Sequence, residues 1–313
     1  MNYKRGSTQL PVHVFHGVLA DWKADSRMDR LYVPRQAFSD FLGALTSQYV
    51  PVDDCGPDDI ALTVDDSTMA AAAACLLARE RGHDVTLYLN PQQIIDQTPY
   101  FFTILNLAID RLVERARQSE PGARWRSPRF LQLRQEMRAR LAPLQGQSLH
   151  AAVLAFLDEW QLETPEVPPE AGPIDMPTLS KLVAAGVQIG NHGWSHADIA
   201  AMSPDALWDD ISRTQRWLMN ATGQRINTFA VPFGIATPSP EVLERLTGIC
   251  MLVDGARPVG ELAPGLVNRL DITDQIVATA RLGRTEGEAA PPELDGRRGW
   301  RATAAKLLKR LRT

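Results

Sequence analysis

Little in this chain suits a secreted disulfide scaffold or a membrane-spanning protein. It has three cysteines in 313 residues (Cys55, Cys75, Cys250), an odd number without metal-ligand spacing, which fits reduced thiols rather than a bridged framework. No uninterrupted apolar run approaches the ~20 residues that a membrane-spanning helix needs. Pro11, His13 and His16 break up the N-terminal segment, so no secretory leader is read there and a cytoplasmic protein is expected. A surplus of positive charge is also missing: 33 basic against 37 acidic residues give −4, which argues against a nucleic-acid partner. There is no glycine-rich phosphate loop and no internal repeat. With 44% hydrophobic and 22% charged residues, a fibrous or fully disordered chain is excluded.

The charge is unevenly spread. Residues 297–313 hold seven basic groups and no acid, which leaves 26 basic against 37 acidic residues, −11, on the rest. In that tail Trp300, Ala304, Leu307, Leu308 and Leu311 fall at helical spacing with Arg and Lys opposite. Such a basic amphipathic helix suits an anionic membrane surface or an acidic partner, and equally suits packing on the acidic body of its own chain. Residues 284–297 before it read as a Gly-, Glu- and Pro-rich linker.

Seven short apolar runs alternate with helical patterns: Val12–Phe15, Ile60–Val64, Val85–Leu89, Val187–Ile189, Thr228–Val231, Ile249–Val253 and Leu266–Val267 continuing to Leu270. Runs of this length and character read as parallel strands buried on both faces. The pattern implies an α/β barrel related to the (β/α)8 type, with an open doubly wound sheet as the other arrangement. Polar residues follow the strands directly: His16, Asp65 and Asp66, Asn90, Asn191 and His192, Asp254, and Arg269. In parallel α/β folds strand carboxyl ends open on one face, so residues distant in sequence converge there. The alternation stops over 96–171, where amphipathic helices are expected at roughly 100–118, 128–142 and 148–161, followed by a connector from Pro165 to Pro177. The expected layout is a barrel from 1–95 and 172–273, a helical insertion at 96–171 serving as lid or partner surface, and a linker and tail at 274–313.

Two segments carry chemistry. DIALTVDDS (59–67) ends a strand in paired carboxylates, although Asp66 or Ser67 could instead cap the Ala-rich helix over about 68–81 that Gly82 closes. GVQIGNHGWSHADI (186–199) places His192 and His196 four apart just after a strand. Two imidazoles and a carboxylate form a set able to hold one divalent ion, Zn²⁺ or a similar metal, with a position left for water. The rival reading is two surface or capping histidines.

In these segments the chain resembles the polysaccharide deacetylase family (the NodB homology group, carbohydrate esterase family 4), over residues 1–95 and 172–273. PVHVFHGV is similar to an N-terminal "YH" strand, LTVDDS to the family's TFDDG, and HDVTLYLN to its "ATFFV" strand. GVQIGNHGWSHADI is similar to the "HSxxH" region and FAVPFG to the "RxPxG" turn, here in a FAYPYG-like form. The resemblance implies a distorted (β/α)7 barrel. It also implies that Asp66, His192 and His196 ligate the metal, that Asp65 is the general base, and that the backbone N–H near Phe233, in the Pro232–Gly234 turn, holds the oxyanion.

The chain departs from the pattern in several places. Val64, Ser67 and Gly193 replace the usual Phe, Gly and Ser or Thr; Ala230 stands where many members have an Arg; and no His follows residue 196. Members with an early "YH" strand place the general acid there, which makes His16 the candidate, against a plain hydrogen-bonded strand-end histidine. Arg269 is the candidate replacement for the missing Arg, against an ordinary surface ion pair. Trp194 could line a sugar platform or simply pack, and Asn90 is a further candidate substrate contact. His13 and His83 read as structural. The implied activity is removal of an N-acyl group, acetyl foremost, from an amino sugar in a glycan precursor or glycoside. The alternative is a non-catalytic carbohydrate-binding or scaffold protein on the same barrel.

Overall fold

A computed structural model describes residues 12–23, 25–55, 59–141, 143–144, 146–234, 238–246, 249–254 and 266–282. Seven strands close into a parallel barrel: β1 (Val12–Phe15), β4 (Ala61–Asp65), β5 (Thr86–Leu89), β6 (Gln188–Asn191), β7 (Thr228–Ala230), β8 (Cys250–Asp254) and β9 (Leu266–Asp271). They neighbour one another in that order, and β1 pairs with both β4 and β9. A two-stranded parallel sheet, β2 (Val18–Leu19) and β3 (Val33–Pro34), lies outside it. All seven barrel strands coincide with the apolar runs of the sequence. The open-sheet alternative falls away because β9 returns to β1 with Val12 opposite Arg269.

The barrel is closed inside by side chains and outside by helices. Tyr88 fills the interior so tightly that any Cβ at Gly190 would collide with its ring, so only glycine is accommodated there. Outside pack α1 (Arg35–Gly43), α2 (Met69–Glu80), α7 (Met176–Ala184), α8 (Pro204–Thr222) and α10 (Thr273–Leu282). Phe38, Leu62, Ala74, Leu87, Leu182 and Ile276 share one buried cluster. The short helices α3 (Pro91–Asp96) and α9 (Pro240–Arg245) complete the wall. The linker expected from 274 onward starts too early: Ile276 and Val277 pack α10 back into the core through an apolar face at helical spacing. Residues 283–313, with the basic tail helix, lie outside the described residues. The three cysteines are buried. Among the described residues no helix is long and apolar enough to cross a membrane.

Between β5 and β6 the chain forms α4 (Phe101–Arg117), α5 (Pro128–Leu141) and α6 (Gly146–Glu159). Their apolar faces meet in a separate cluster that includes Leu105, Ile109, Phe130, Met137, Leu141, Phe156 and Leu157. This helical layer stands over the carboxyl ends of the strands. Phe101, Phe102 and Leu105 of α4 and Arg134 and Arg138 of α5 line the same cavity as the strand-end residues.

Candidate metal centre and active site

The carboxyl ends of β1, β4, β6 and β8 meet in one cavity of about 270 Å³ that contains His16, Asp65, Asp66, His192, His196, Phe233 and Asp254. This is near the lower end of the range for ligand pockets, roughly 300–1,000 Å³. The chain turns sharply at each site residue. Asp66, His196 and Phe233 hold left-handed backbone angles (φ 79°, 60° and 61°), a conformation that costs a non-glycine residue about 1–2 kcal/mol. Such strain persists only where the surroundings impose it, and here it aims three side chains into one cavity. The turn at Asp66 also explains why neither Asp66 nor Ser67 caps α2. Thr68 does, accepting from the Ala71 N–H, and the Asp66 carboxylate is left to the cavity. Gly17 (φ 136°) brings the chain after His16 against the first turn of α2, where an added Cβ would lie 2.5 Å from the Ala70 carbonyl carbon.

Asp66, His192 and His196 present ligand atoms that all lie within 4.8 Å of one another, and all three residues are buried. Asp66 Oδ1 is 3.5 Å from His196 Nε2 and 3.8 Å from His192 Nε2, too far for hydrogen bonds. Two N/O ligands at about 2.05 Å in a tetrahedral zinc site stand about 3.3–3.4 Å apart, close to these separations. Asp66 Oδ1 is buried and lacks any hydrogen-bond partner, the costly condition that a cation would relieve. His192 Nδ1 is 2.8 Å from the Ala230 carbonyl. Donation there fixes the tautomer and leaves the Nε2 lone pair facing Asp66. Burial first, then the neighbouring His192, holds the His196 imidazole well below its ordinary pKa and so neutral, as a ligand must be. Tyr100, Phe102 and Phe233 enclose the His196 ring at 5.5, 5.2 and 4.6 Å. The residues therefore suit a divalent cation.

Asp65 sits in different surroundings from its neighbour. Arg269 Nη1 and Nη2 donate to its two oxygens at 2.7 Å each, and Arg269 Nε donates to Asp254 at 2.8 Å. Burial opposes ionisation of Asp65, but the Arg269 charge, with His192 and His16 adding to it, overcomes that and holds the carboxyl far below the usual range. Asp66 is driven the other way, upward, by burial above all. Arg269 is among the largest fully buried side chains, so the surface-pair alternative does not hold. It enters from β9, two strands round the barrel from the β7 position, Ala230, that resemblance had marked for an arginine. His16 is partly exposed to the cavity. Burial lowers its pKa, but Asp66, Asp65, Asp271 and Asp254 together raise it above the ordinary value.

The four substrate-contact candidates, Asn90, Trp194, Pro232 and Gly234, do not line the cavity. Asn90 is wholly buried, and its amide donates to the His192 and Gly193 carbonyls, so it braces the ligand loop rather than a substrate. Trp194 faces a separate, more open pocket of about 680 Å³ with Gln92, Asp96, Asp210 and Arg213, and the Arg213 guanidinium covers its ring at 3.5 Å. Pro232 packs beside Gly193. The Gly234 N–H donates to the Val231 carbonyl and is spent inside the turn. The Phe233 N–H donates to no one among the described residues. The sequence reading missed Arg27, Arg134 and Arg138. The sequence shows only that Arg134 and Arg138 stand at i, i+4 with no acidic residue three or four positions from either, an arrangement that destabilises a bare helix but does not by itself mark a site.

Residues 136–248 match the polysaccharide deacetylase family model, a span that contains both histidines and the Phe233 turn but not Asp65 or Asp66. Two solved structures share the fold of the chain. The Streptococcus pyogenes deacetylase PplD, solved in complex with acetate, is 12% identical, covers 90% of this chain and all of its own, and has a TM-score of 0.53. BC0361, a polysaccharide deacetylase from Bacillus cereus, is 11% identical, covers 87% of this chain and 69% of its own, and has a TM-score of 0.52. The family and the Asp–His–His set together support deacetylase activity.

Proposed function

We propose that the protein is a metal-dependent amidohydrolase that removes an N-acyl group, acetyl foremost, from an amino sugar. The observation that carries this reading is the pairing of a buried, unpartnered Asp66 oxygen and two oriented imidazoles with a second, ionised carboxylate alongside. Asp66, His192 and His196 would hold a divalent cation, which would supply Lewis acidity and make water in the site easier to deprotonate; zinc suits the donor set.

The other steps belong to the chain's own side chains. Asp65, kept ionised and oriented by the Arg269 fork, takes a proton from the attacking water. The Phe233 N–H donates to the developing oxyanion. His16, whose pKa the surrounding carboxylates raise, gives its proton to the leaving nitrogen as the C–N bond breaks. The products are a carboxylate and a free amine. Arg269 on Asp65 supports this reading over a non-catalytic scaffold, because it restores the partner that Ala230 cannot provide.

The test is mass spectrometry of N-acetylated oligosaccharides, glycosides and sugar phosphates incubated with zinc-, cobalt- or manganese-loaded protein. Loss of one acetyl group, abolished by Asp65→Asn with metal still bound, is expected. Bound substrates that stay fully acetylated with every metal would overturn the proposal.

A further inference from the structure

The helical layer gives the cavity a basic roof that the hydrolysis above leaves unused. Arg134 and Arg138 reach in from α5 and Arg27 from the segment before β3. Among the described residues none of the three guanidinium groups has a carboxylate within ion-pair distance. Each is held by neutral partners instead. Arg134 Nε donates to Asn106 Oδ1 at 3.0 Å, Arg138 lies 4.7 Å over the Phe233 ring, and Arg27 lies 5.2 Å over the Trp125 ring. Arg27 is also fixed through its backbone: Asp110 on α4 accepts from the Arg27 and Met28 N–H groups at 2.6 and 2.9 Å and from the Ser26 hydroxyl at 2.8 Å.

Crowding three cations under cover is unfavourable. Burial, then the neighbouring arginines, pushes Arg27 down to about 9, and the same two causes push Arg134 to about 10. Arg134 and Arg138 also repel along one helix face. The strain is relieved if an anion enters. A planar carboxylate is satisfied by one guanidinium fork, as Arg269 shows with Asp65. Three guanidinium groups arriving from two chain segments suit a tetrahedral group with three accepting oxygens and a charge near −2. The roof also adjoins the metal donors, since Arg138 and His196 touch the same Phe233 ring.

We propose that Arg27, Arg134 and Arg138 seat a phosphoryl group carried by the amino sugar, so that the substrate is a phosphorylated rather than a neutral glycan unit. The sugar half of this statement rests on the deacetylase reading. The phosphoryl group can arrive as a sugar 1-phosphate, in a nucleoside diphosphate sugar, or in a prenyl diphosphate-linked sugar.

Calorimetry on the metal-free full chain tests the seat, with N-acetylglucosamine as the neutral reference. Its 1-phosphate, its uridine diphosphate conjugate and a short prenyl diphosphate conjugate are the probes. At least one carrier is expected to bind tenfold or more tighter than the neutral sugar, a difference of about 1.4 kcal/mol, and the tightest names the source. Arg134→Gln/Arg138→Gln is expected to erase that preference with neutral-sugar binding and Tm unchanged. Arg138→Lys, which keeps the charge but loses the fork, should fall between and serves if the double variant does not fold. Equal binding of neutral and phosphorylated sugars, or a preference that survives in the double variant, overturns the proposal. The two readings fail separately. A phosphate preference without acetate release sinks the hydrolase and leaves the seat, whereas equal kcat/KM on neutral and phosphorylated sugars sinks the seat and leaves the hydrolase.

Discussion

The floor and the roof of the cavity are built on opposite principles. The floor consists of strand ends from a closed barrel. Asp65, Asp66, His192 and Asp254 sit where β4, β6 and β8 stop, with Arg269 matched to Asp65 and Asp254 and His192 to the Ala230 carbonyl. The roof consists of side chains on helices with a separate apolar cluster, and its three arginines face no carboxylate partner. Negative charge below suits a cation, and positive charge above suits an anion. A substrate with an anionic handle, over a bound metal, satisfies both at once. The comparison separates two proposed roles, the barrel for the reaction and the helices for what is admitted.

The largest effect should come from breaking the floor alone. His192→Ala is expected to lose the metal, read by elemental mass spectrometry, and to cut turnover by about 10³-fold or more, since the cation supplies several kcal/mol of charge stabilisation. Sugar-phosphate binding to the metal-free protein should survive, because none of the roof arginines depends on His192. Loss of that binding would show floor and roof to be one unit.

Next is Arg269→Leu. Asp65 is left buried at 2% exposure without its fork, and removing one partner of a buried pair costs about 3–5 kcal/mol. Urea unfolding should show that loss, and His16-dependent turnover should fall with it. An unchanged midpoint would mean that water had replaced the guanidinium.

The floor was readable from sequence for a physical reason. A strand buried on both faces must be a continuous apolar run, so ALTV and CMLV marked their own ends, and the first polar residue after each, Asp65 and Asp254, fell in the mouth. Arg269 was harder to place, because it lies inside β9 and only barrel closure, with Val12 opposite it, brings it to Asp65. Asn90 misled because a polar strand-end residue can also brace a neighbouring loop. Trp194 misled because its face is taken by Arg213, nineteen positions on in α8. The roof was not readable as a site. Arg134 and Arg138 on an amphipathic helix look like a solvated face until the fold shows that face turned toward the barrel.

A third prediction concerns the barrel's outer support and should leave the roof untouched. His13, in β1, is 2.7 Å from the Tyr49 hydroxyl through Nδ1, and burial lowers its pKa to about 4 from 6.5. The unfolded chain then binds the proton more readily than the folded one. This contribution is fully present above pH 6.5 and is lost as the pH falls toward 4, by roughly 3 kcal/mol in all at about 1.4 kcal/mol per unit. Urea titrations of wild type and His13→Gln should diverge above pH 6.5 and converge toward pH 4. Parallel curves across that range would remove His13 from the acid sensitivity of the barrel.

The smallest effect separates the two layers most finely. Asp110 touches no substrate; it holds the backbone of Arg27 to α4 through three hydrogen bonds. Asp110→Asn keeps one of the two accepting oxygens, so it loses acceptance either from the Arg27 N–H or from the Met28 N–H and Ser26 hydroxyl together, at a cost of about 0.5–1.5 kcal/mol for each net bond. Arg27 then samples more positions, and the phosphorylated sugar should bind about threefold to tenfold more weakly. Metal content should not change, and neither should kcat at saturating substrate, because the floor is intact. A rise in KM alone identifies Asp110 as a positioning residue for the roof. A fall in kcat with unchanged KM would instead mean that α4 shapes the floor, through Phe102 against His196, and that the two layers are coupled where this geometry treats them as separable.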